Sequence, residues 1–186
     1  MCMIDHLKSR HLNSEKYHMS YDNELVTFYL YNLSGQLVGY QNYRPGAPKT
    51  SNNDPKKGRY YTYSLKTEGH PGNRKTYSLA VWGLETIHYT PNVLFLTEGI
   101  FDACRLHNLG LSAIAMLSND PKGFRSWLHI MKDKLKVAVC DNDAAGQKLA
   151  KIADVAVFVD STKDLGEMSE SELNNFFINN LRKYVS

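Results

Sequence analysis

The sequence predicts an α/β chain in two parts. A small, mainly antiparallel β subdomain of α+β type covers residues 1–91, and a four-stranded parallel sheet flanked by helices covers residues 92–186. Three observations carry this reading. After Pro91, short apolar runs alternate with helical patterns, and such a β-α series is accommodated by a parallel sheet with helices packed against it. Before Pro91, apolar and aromatic residues come in strand-length pieces separated by Gly, Pro and Asn. Charge divides at the same place: residues 1–90 carry 11 Lys and Arg against 7 Asp and Glu (+4), whereas residues 91–186 carry 11 against 12 (−1).

The elements follow in order. Ile4, Leu7, His11 and Leu12 recur at roughly helical spacing, so a short helix opens the chain. Residues 25–30 and 37–43 are rich in β-branched and aromatic side chains, with Asn32, Ser34 and Gly35 between them, and read as a hairpin. Pro45-Gly46-Ala47-Pro48 ends the second strand, because proline lacks the N–H that a ladder needs. Residues 49–58 are loop by composition, 59–65 a tyrosine-rich strand, 67–74 a second polar loop, and 76–84 a further strand or an irregular connection.

In the second part, residues 93–97 read as a buried strand, and a helix over 100–109 closes at Gly110. Residues 111–117 form the next strand. Asp120 then offers an N-cap and Pro121 a first helical position, ahead of a helix with Phe124, Trp127, Leu128 and Met131 on one face. Residues 135–140 are the third strand, 144–153 a helix, and 155–159 the fourth strand. The last helix starts at the capping box Ser169-x-x-Glu172, with Leu173, Phe176, Phe177, Leu181 and Tyr184 as its apolar face.

Composition excludes several classes. No apolar run approaches the roughly 18–20 residues of a membrane span, and the N-terminus has no signal-peptide core, so no membrane partner is expected and residence is cytoplasmic. Cys2, Cys104 and Cys140 lie too far apart for a disulfide framework or a structural zinc site and read as reduced thiols. Residues 40–75 hold eight basic residues against two acids, with tyrosines among them; this is either the footprint of a phosphate-backbone binder or a solvated basic loop.

The acids point to chemistry. Glu98 and Asp102 follow the first strand of the parallel sheet, Asp120 the second, Asp141 and Asp143 the third, and Asp160, Asp164 and Glu167 the fourth. In such a sheet all strand C-termini share one edge, where ligands bind. If the chain is still extended at Asp141 and Asp143, their carboxylates face the same side. Crowded carboxylates repel and acquire raised pKa values, which a divalent cation relieves. Hard oxygen donors suit Mg²⁺ or Mn²⁺, whose remaining positions take water and substrate phosphate. Taken singly, Asp120 reads as a helix cap, Asp160 as a turn residue and Asp102 as a partner of the helix dipole. Glu98, Asp141, Asp143 and Asp164 together have no packing reason to be acidic.

Three segments then carry a family resemblance. Thr97-Glu98-Gly99-Ile100-Phe101-Asp102-Ala103, Cys140-Asp141-Asn142-Asp143-Ala144-Ala145-Gly146 and Lys163-Asp164-Leu165-Gly166-Glu167 resemble the acidic motifs of the Toprim domain. That domain is shared by DnaG-type primases, type IA and II topoisomerases and certain nucleases. The Asp-x-Asp-x-Ala-Gly and Lys-Asp-x-x-Glu forms look most like primases, bacteriophage primase–helicases included. Upstream, residues 32–44 are similar to the strand-turn-strand that opens the nucleic-acid-binding subdomain of the primase core, and Trp82-Gly83-Leu84-Glu85 resembles the turn before its Toprim domain.

The resemblance implies a Toprim-like sheet and a primase-type nucleotidyltransferase making short RNA primers from NTPs on a single-stranded DNA template. Glu98 would act in acid/base or metal-binding work near the primer 3′-hydroxyl. Asp141, Asp143 and Asp164 would hold Mg²⁺ or Mn²⁺ with it, and Lys163 would neutralise phosphate charge. Asp102 and Glu167 would stand behind these groups. Arg44, Lys57, Arg59 and Lys75 would grip template or triphosphate, while Tyr60, Tyr61 and Tyr63 would stack bases or pack the sheet. The sequence has no cysteine cluster of a zinc module and no G-x-x-x-x-G-K-[ST] motor motif, so a helicase or zinc-module protein would be a separate partner. A bacteriophage origin would place the chain in host cytoplasm. Two other readings use the same residues: a Toprim-type metal-dependent nuclease, and a non-catalytic nucleic-acid-binding replication accessory protein. A topoisomerase is disfavoured, because the chain has no room for its tyrosine-bearing domain.

Overall fold

Two sheets organise the chain, one in each of two compact units, Met1–Trp82 and Gly83–Ser186. The structure, a computed structural model, describes residues 2–49, 54–67, 76–77, 79–118, 121–159 and 163–185.

The first unit contains helix α1 (Met3–Ser9) and strands β1 (Met19–Tyr21), β2 (Val26–Tyr31), β3 (Leu37–Tyr43) and β4 (Tyr60–Ser64), joined in that order as an antiparallel sheet. Strands β5 (Lys66–Thr67) and β6 (Thr76–Tyr77) form a separate two-stranded ribbon. Strand β2 alternates as its sequence demands: Val26, Phe28 and Leu30 are buried and the residues between them are not. Trp82 meets Phe28 edge-on at 6.1 Å and Tyr17 at 4.6 Å, which closes this core. The hairpin turns at Gly35, whose φ of 74° a side chain would strain, and the Asn32 carboxamide accepts the Gln36 N–H at 3.0 Å. Strand β1, absent from the sequence reading, is three residues long, polar and at the sheet edge.

On the opposite face of this sheet, Tyr29, Tyr40 and Tyr63 stand in register on β2, β3 and β4. Tyr40 stacks on Tyr63 at 5.4 Å and lies 6.3 Å from Tyr61. Tyr60 points to the other face, stacked on Tyr43 at 5.1 Å.

The second unit runs β7 (Val93–Thr97), α2 (Ile100–Asn108), β8 (Ala113–Ala115), α3 (Arg125–Ile130), β9 (Leu135–Cys140), α4 (Ala144–Ala150), β10 (Val155–Phe158) and α5 (Glu170–Phe176). The strands form one parallel sheet of order β10-β9-β7-β8. Strand β7 lies inside it and is buried throughout, as an uninterrupted apolar run requires. Strand β8 is shorter than the expected 111–117, since Leu117 turns away at φ 53°. Residues 83–91, assigned by sequence to the first part, are tied here to the second unit: Thr86 Oγ1 lies 3.1 Å from His107 Nε2 and donates to Ala113 O at 3.2 Å. Helix α5 carries the expected capping box, then widens into a π-helical turn over Phe177–Leu181. All three cysteines are free. No helix among the described residues is long and apolar enough to cross a membrane.

Candidate active site

Strands β7 and β9 are direct parallel neighbours, in register at Leu96 and Ala138, so their C-terminal ends emerge side by side. Glu98 leaves the first and Asp141 the second. The backbone N–H of Asp141 donates to the Glu98 carboxylate. The other demand is unmet: Glu98 Oε1 is buried with no hydrogen-bond partner among the described residues. Burial, and then the charges of Asp141 and Asp143, push the Glu98 pKa from 4.5 up to about 7, against the opposing pull of the Asp141 N–H. The neighbouring Cys140 thiol is driven up to about 12, first by burial and then by Glu98 and Asp141, which keeps it neutral and inert.

Asp143 has a local duty. Its Oδ1 accepts the N–H groups of Ala145 at 2.8 Å and Gly146 at 2.9 Å, making it the N-cap of α4. Gly146 is required by close approach: a Cβ there would fall on the carbonyl oxygen of Asp141. The spacing from Asp141 to Gly146 thus encodes the strand-to-helix turn as well as two acids.

Helix α2 holds the third acidic segment. Asp102 Oδ1 accepts the Gly166 N–H at 3.0 Å. Three residues on, the fully buried Arg105 donates from Nη1 to Glu170 Oε1 at 2.6 Å and from Nη2 to Met168 O at 2.8 Å. Together they fix the turn Leu165–Glu167, which Asp164 precedes with a buried Oδ1. Glu167 is exposed. Lys163 Nζ is taken up by Glu172, at 3.0 and 3.2 Å from its two oxygens. The Ser169 N–H first, and then Lys163, hold the Glu172 carboxyl down at about 2. Arg105 was not singled out by sequence; the available signal was a guanidinium between apolar Cys104 and Leu106 on a buried helix.

One backbone feature adjoins the site. Leu117 adopts a left-handed φ of 53°, uncommon for a residue with a Cβ, and its N–H donates to Glu98 O at 3.2 Å. The strained residue and the main chain of Glu98 are thereby joined.

The donors suit a hard divalent cation. All are carboxylates, and the orphaned Glu98 Oε1 is a buried acceptor of the kind a cation satisfies. Among the described residues no three acids, histidines or cysteines stand assembled as a ligand cluster. A Mg²⁺ site does not need three: one or two carboxylates commonly suffice, with water and phosphate completing the shell.

In the first unit, Arg44 Nη1 donates to Lys56 O at 2.6 Å and Arg59 Nε to Ala47 O at 2.9 Å, while Lys57 is exposed. These bonds tie residues 44–47 to residues 56–59. Lys75, Asp120 and Asp160 lie outside the described residues.

No protein-family model and no curated protein sequence matches the chain. Solved structures do. A DnaG primase catalytic domain bound to ssDNA matches with a TM-score of 0.54 and 18% identity, over 97% of this chain and 69% of that one. A DnaG catalytic core matches at 0.59 and 21%, over 95% and 62%. The primase fragment of the bacteriophage T7 primase-helicase matches at 0.59 and 12%, over 88% and 65%. The chain therefore has the fold of primase catalytic cores and spans 62% to 69% of the length of these three.

Proposed function

We propose that this chain is a primase-type nucleotidyltransferase core that makes short RNA primers on single-stranded DNA, with Mg²⁺ or Mn²⁺ bound by Toprim carboxylates. One observation carries the reading: a half-buried Glu98 carboxylate with one orphaned oxygen, beside Asp141 and Asp143, at the sheet edge of a primase-core fold.

Glu98 and Asp141 would be the principal metal ligands, with Asp143 and Asp164 completing the acidic edge. The cation would polarise triphosphate oxygens and offset developing charge. The rest falls to the chain. Glu98, as metal ligand or as base, would serve the loss of the primer 3′-hydroxyl proton as that oxygen attacks the α-phosphorus and pyrophosphate leaves. Asp102 and Arg105 hold the segment bearing Lys163, Asp164 and Glu167, and Lys163 supplies positive charge for phosphate. Arg44, Lys57 and Arg59, with Lys75, would grip the DNA backbone. Tyr40, Tyr61 and Tyr63 offer rings on one sheet face for base stacking, a face that excludes Tyr60. A separate helicase or zinc-module protein would place the core on its template.

Incubation with single-stranded DNA, NTPs and Mg²⁺ or Mn²⁺ tests this. Short ribonucleotide products that disappear in Asp141→Ala are expected. Shortening of the DNA without NTPs would assign the carboxylates to a nuclease instead, and metal-independent DNA binding with neither product would mark an accessory protein.

A further inference from the structure

A pocket of about 320 Å³ opens between the end of β10 and helix α5, with Phe158, Lys163, Glu172, Asn175, Phe176 and Asn180 in its wall. The volume is at the lower end of the range of small-molecule sites, about 300–1,000 Å³. Its lining combines aromatic rings from Phe158 and Phe176, the Met168 side chain, carboxamides from Asn175 and Asn180, and the Lys163 ammonium with its paired Glu172 carboxylate. Rings accept a flat heterocycle by stacking, carboxamides pair with the donor and acceptor edge of a purine, and an ammonium receives phosphate.

The backbone under the pocket is unusual. Helix α5 stops being α-helical at Phe176 and runs as a π-helix over Phe177–Leu181, a widening seen often at functional sites. Asn180 Nδ2 donates to Phe176 O at 3.1 Å, which holds this carboxamide against the main chain of Phe176.

We propose that this pocket binds a purine nucleotide, with the base stacked at Phe176, its edge read by Asn175 and Asn180, and its phosphate on Lys163. The proposal shares Lys163 with the polymerase reading but needs neither the metal nor Glu98. Glu172 sets the affinity. Its carboxylate competes with phosphate for the Lys163 ammonium, 3.0 Å away.

That competition gives a test that a purely structural ion pair fails. Binding of methylanthraniloyl-ATP is followed by fluorescence in EDTA, with unlabelled ATP, adenosine and inorganic phosphate as competitors. Saturable binding is expected in wild type and unchanged in Asp141→Asn, which separates this site from the carboxylate edge. Asn175→Trp fills the pocket and abolishes binding. Lys163→Met weakens binding about tenfold, the size of a lost charge-assisted hydrogen bond. Glu172→Gln keeps a helix-capping side chain and tightens binding severalfold. Circular dichroism verifies folding; should Asn175→Trp not fold, the opposite shifts in Lys163→Met and Glu172→Gln decide alone. Absence of saturable binding in EDTA, or equal affinity in Lys163→Met, Glu172→Gln and wild type, overturns the proposal.

Discussion

Asp102 on α2 accepts the backbone N–H of Gly166 at 3.0 Å, across a separation of 64 residues. This bond brings the Lys163-Asp164-Leu165-Gly166-Glu167 segment to the helix that begins just after Glu98. It gives Asp102 a role that the helix dipole alone does not require: it ties that turn to α2.

Replacing Asp102 should therefore act through the turn it holds. Asp102→Ala removes the acceptor, with a cost of about 1–3 kcal/mol for the stranded N–H and lost bond. Asp102→Asn retains a carbonyl oxygen for Gly166 and should lose much less. Urea denaturation of both variants measures the difference, and Mn²⁺ titration should show weaker binding in Asp102→Ala with partial rescue in Asp102→Asn.

Arg105 is fully buried and spans Met168 O and Glu170. Arg105→Met keeps much of the apolar stem but leaves the Met168 carbonyl unpaired, costing about 1–3 kcal/mol. Glu170→Gln, at a carboxylate 65% exposed, keeps an oxygen for the Arg105 Nη1 and should cost less than Arg105→Met. Thermal melts of the two variants should separate clearly, with Arg105→Met the lower.

Glu98 makes metal-free stability depend on pH. Its carboxyl is raised from 4.5 to about 7, so between those values the folded chain binds more protons than the unfolded chain. This contribution is fully present below pH 4.5 and is lost as pH rises through about 7. In EDTA, wild type should lose stability over that window, and Glu98→Gln should flatten the slope and melt higher at about pH 8. Added Mn²⁺ should raise the wild-type melting temperature and leave the variant nearly unmoved.

Gly146 permits the contact between α4 and the Asp141 carbonyl. Gly146→Ala forces that turn apart, with a destabilisation of about 1–3 kcal/mol typical of overpacking. Because Asp143 caps the same turn, the variant should also bind Mn²⁺ more weakly, measurable by calorimetry under conditions where it remains folded.

The sequence made the parallel sheet legible because each strand is a bounded apolar run, and the acids stood out because they follow strand ends without a packing reason. Val93–Thr97 and Leu135–Cys140 were read to the residue. Features decided by distant contacts were not legible. Arg105 is explained by partners 63 and 65 residues away, and no local pattern announces them. The shortening of β8 at Leu117 depends on backbone strain that leucine does not advertise. The π-helical turn after Phe176 breaks the 3.6-residue period on which the apolar face of the last helix was read. The Lys163–Glu172 pair is hidden in the sequence because the capping box alone explains an acid at Glu172.

Transfer from α-phosphate-labelled ATP and GTP onto a growing ribonucleotide chain, on unlabelled single-stranded DNA with Mn²⁺, tests the central claim most directly. The account predicts short labelled products with one pyrophosphate released per nucleotide added, and a loss of at least about a hundredfold in Glu98→Gln and Asp141→Asn, both still folded. A folded wild-type chain that incorporates no label across templates, or variants that incorporate it as wild type does, would contradict it.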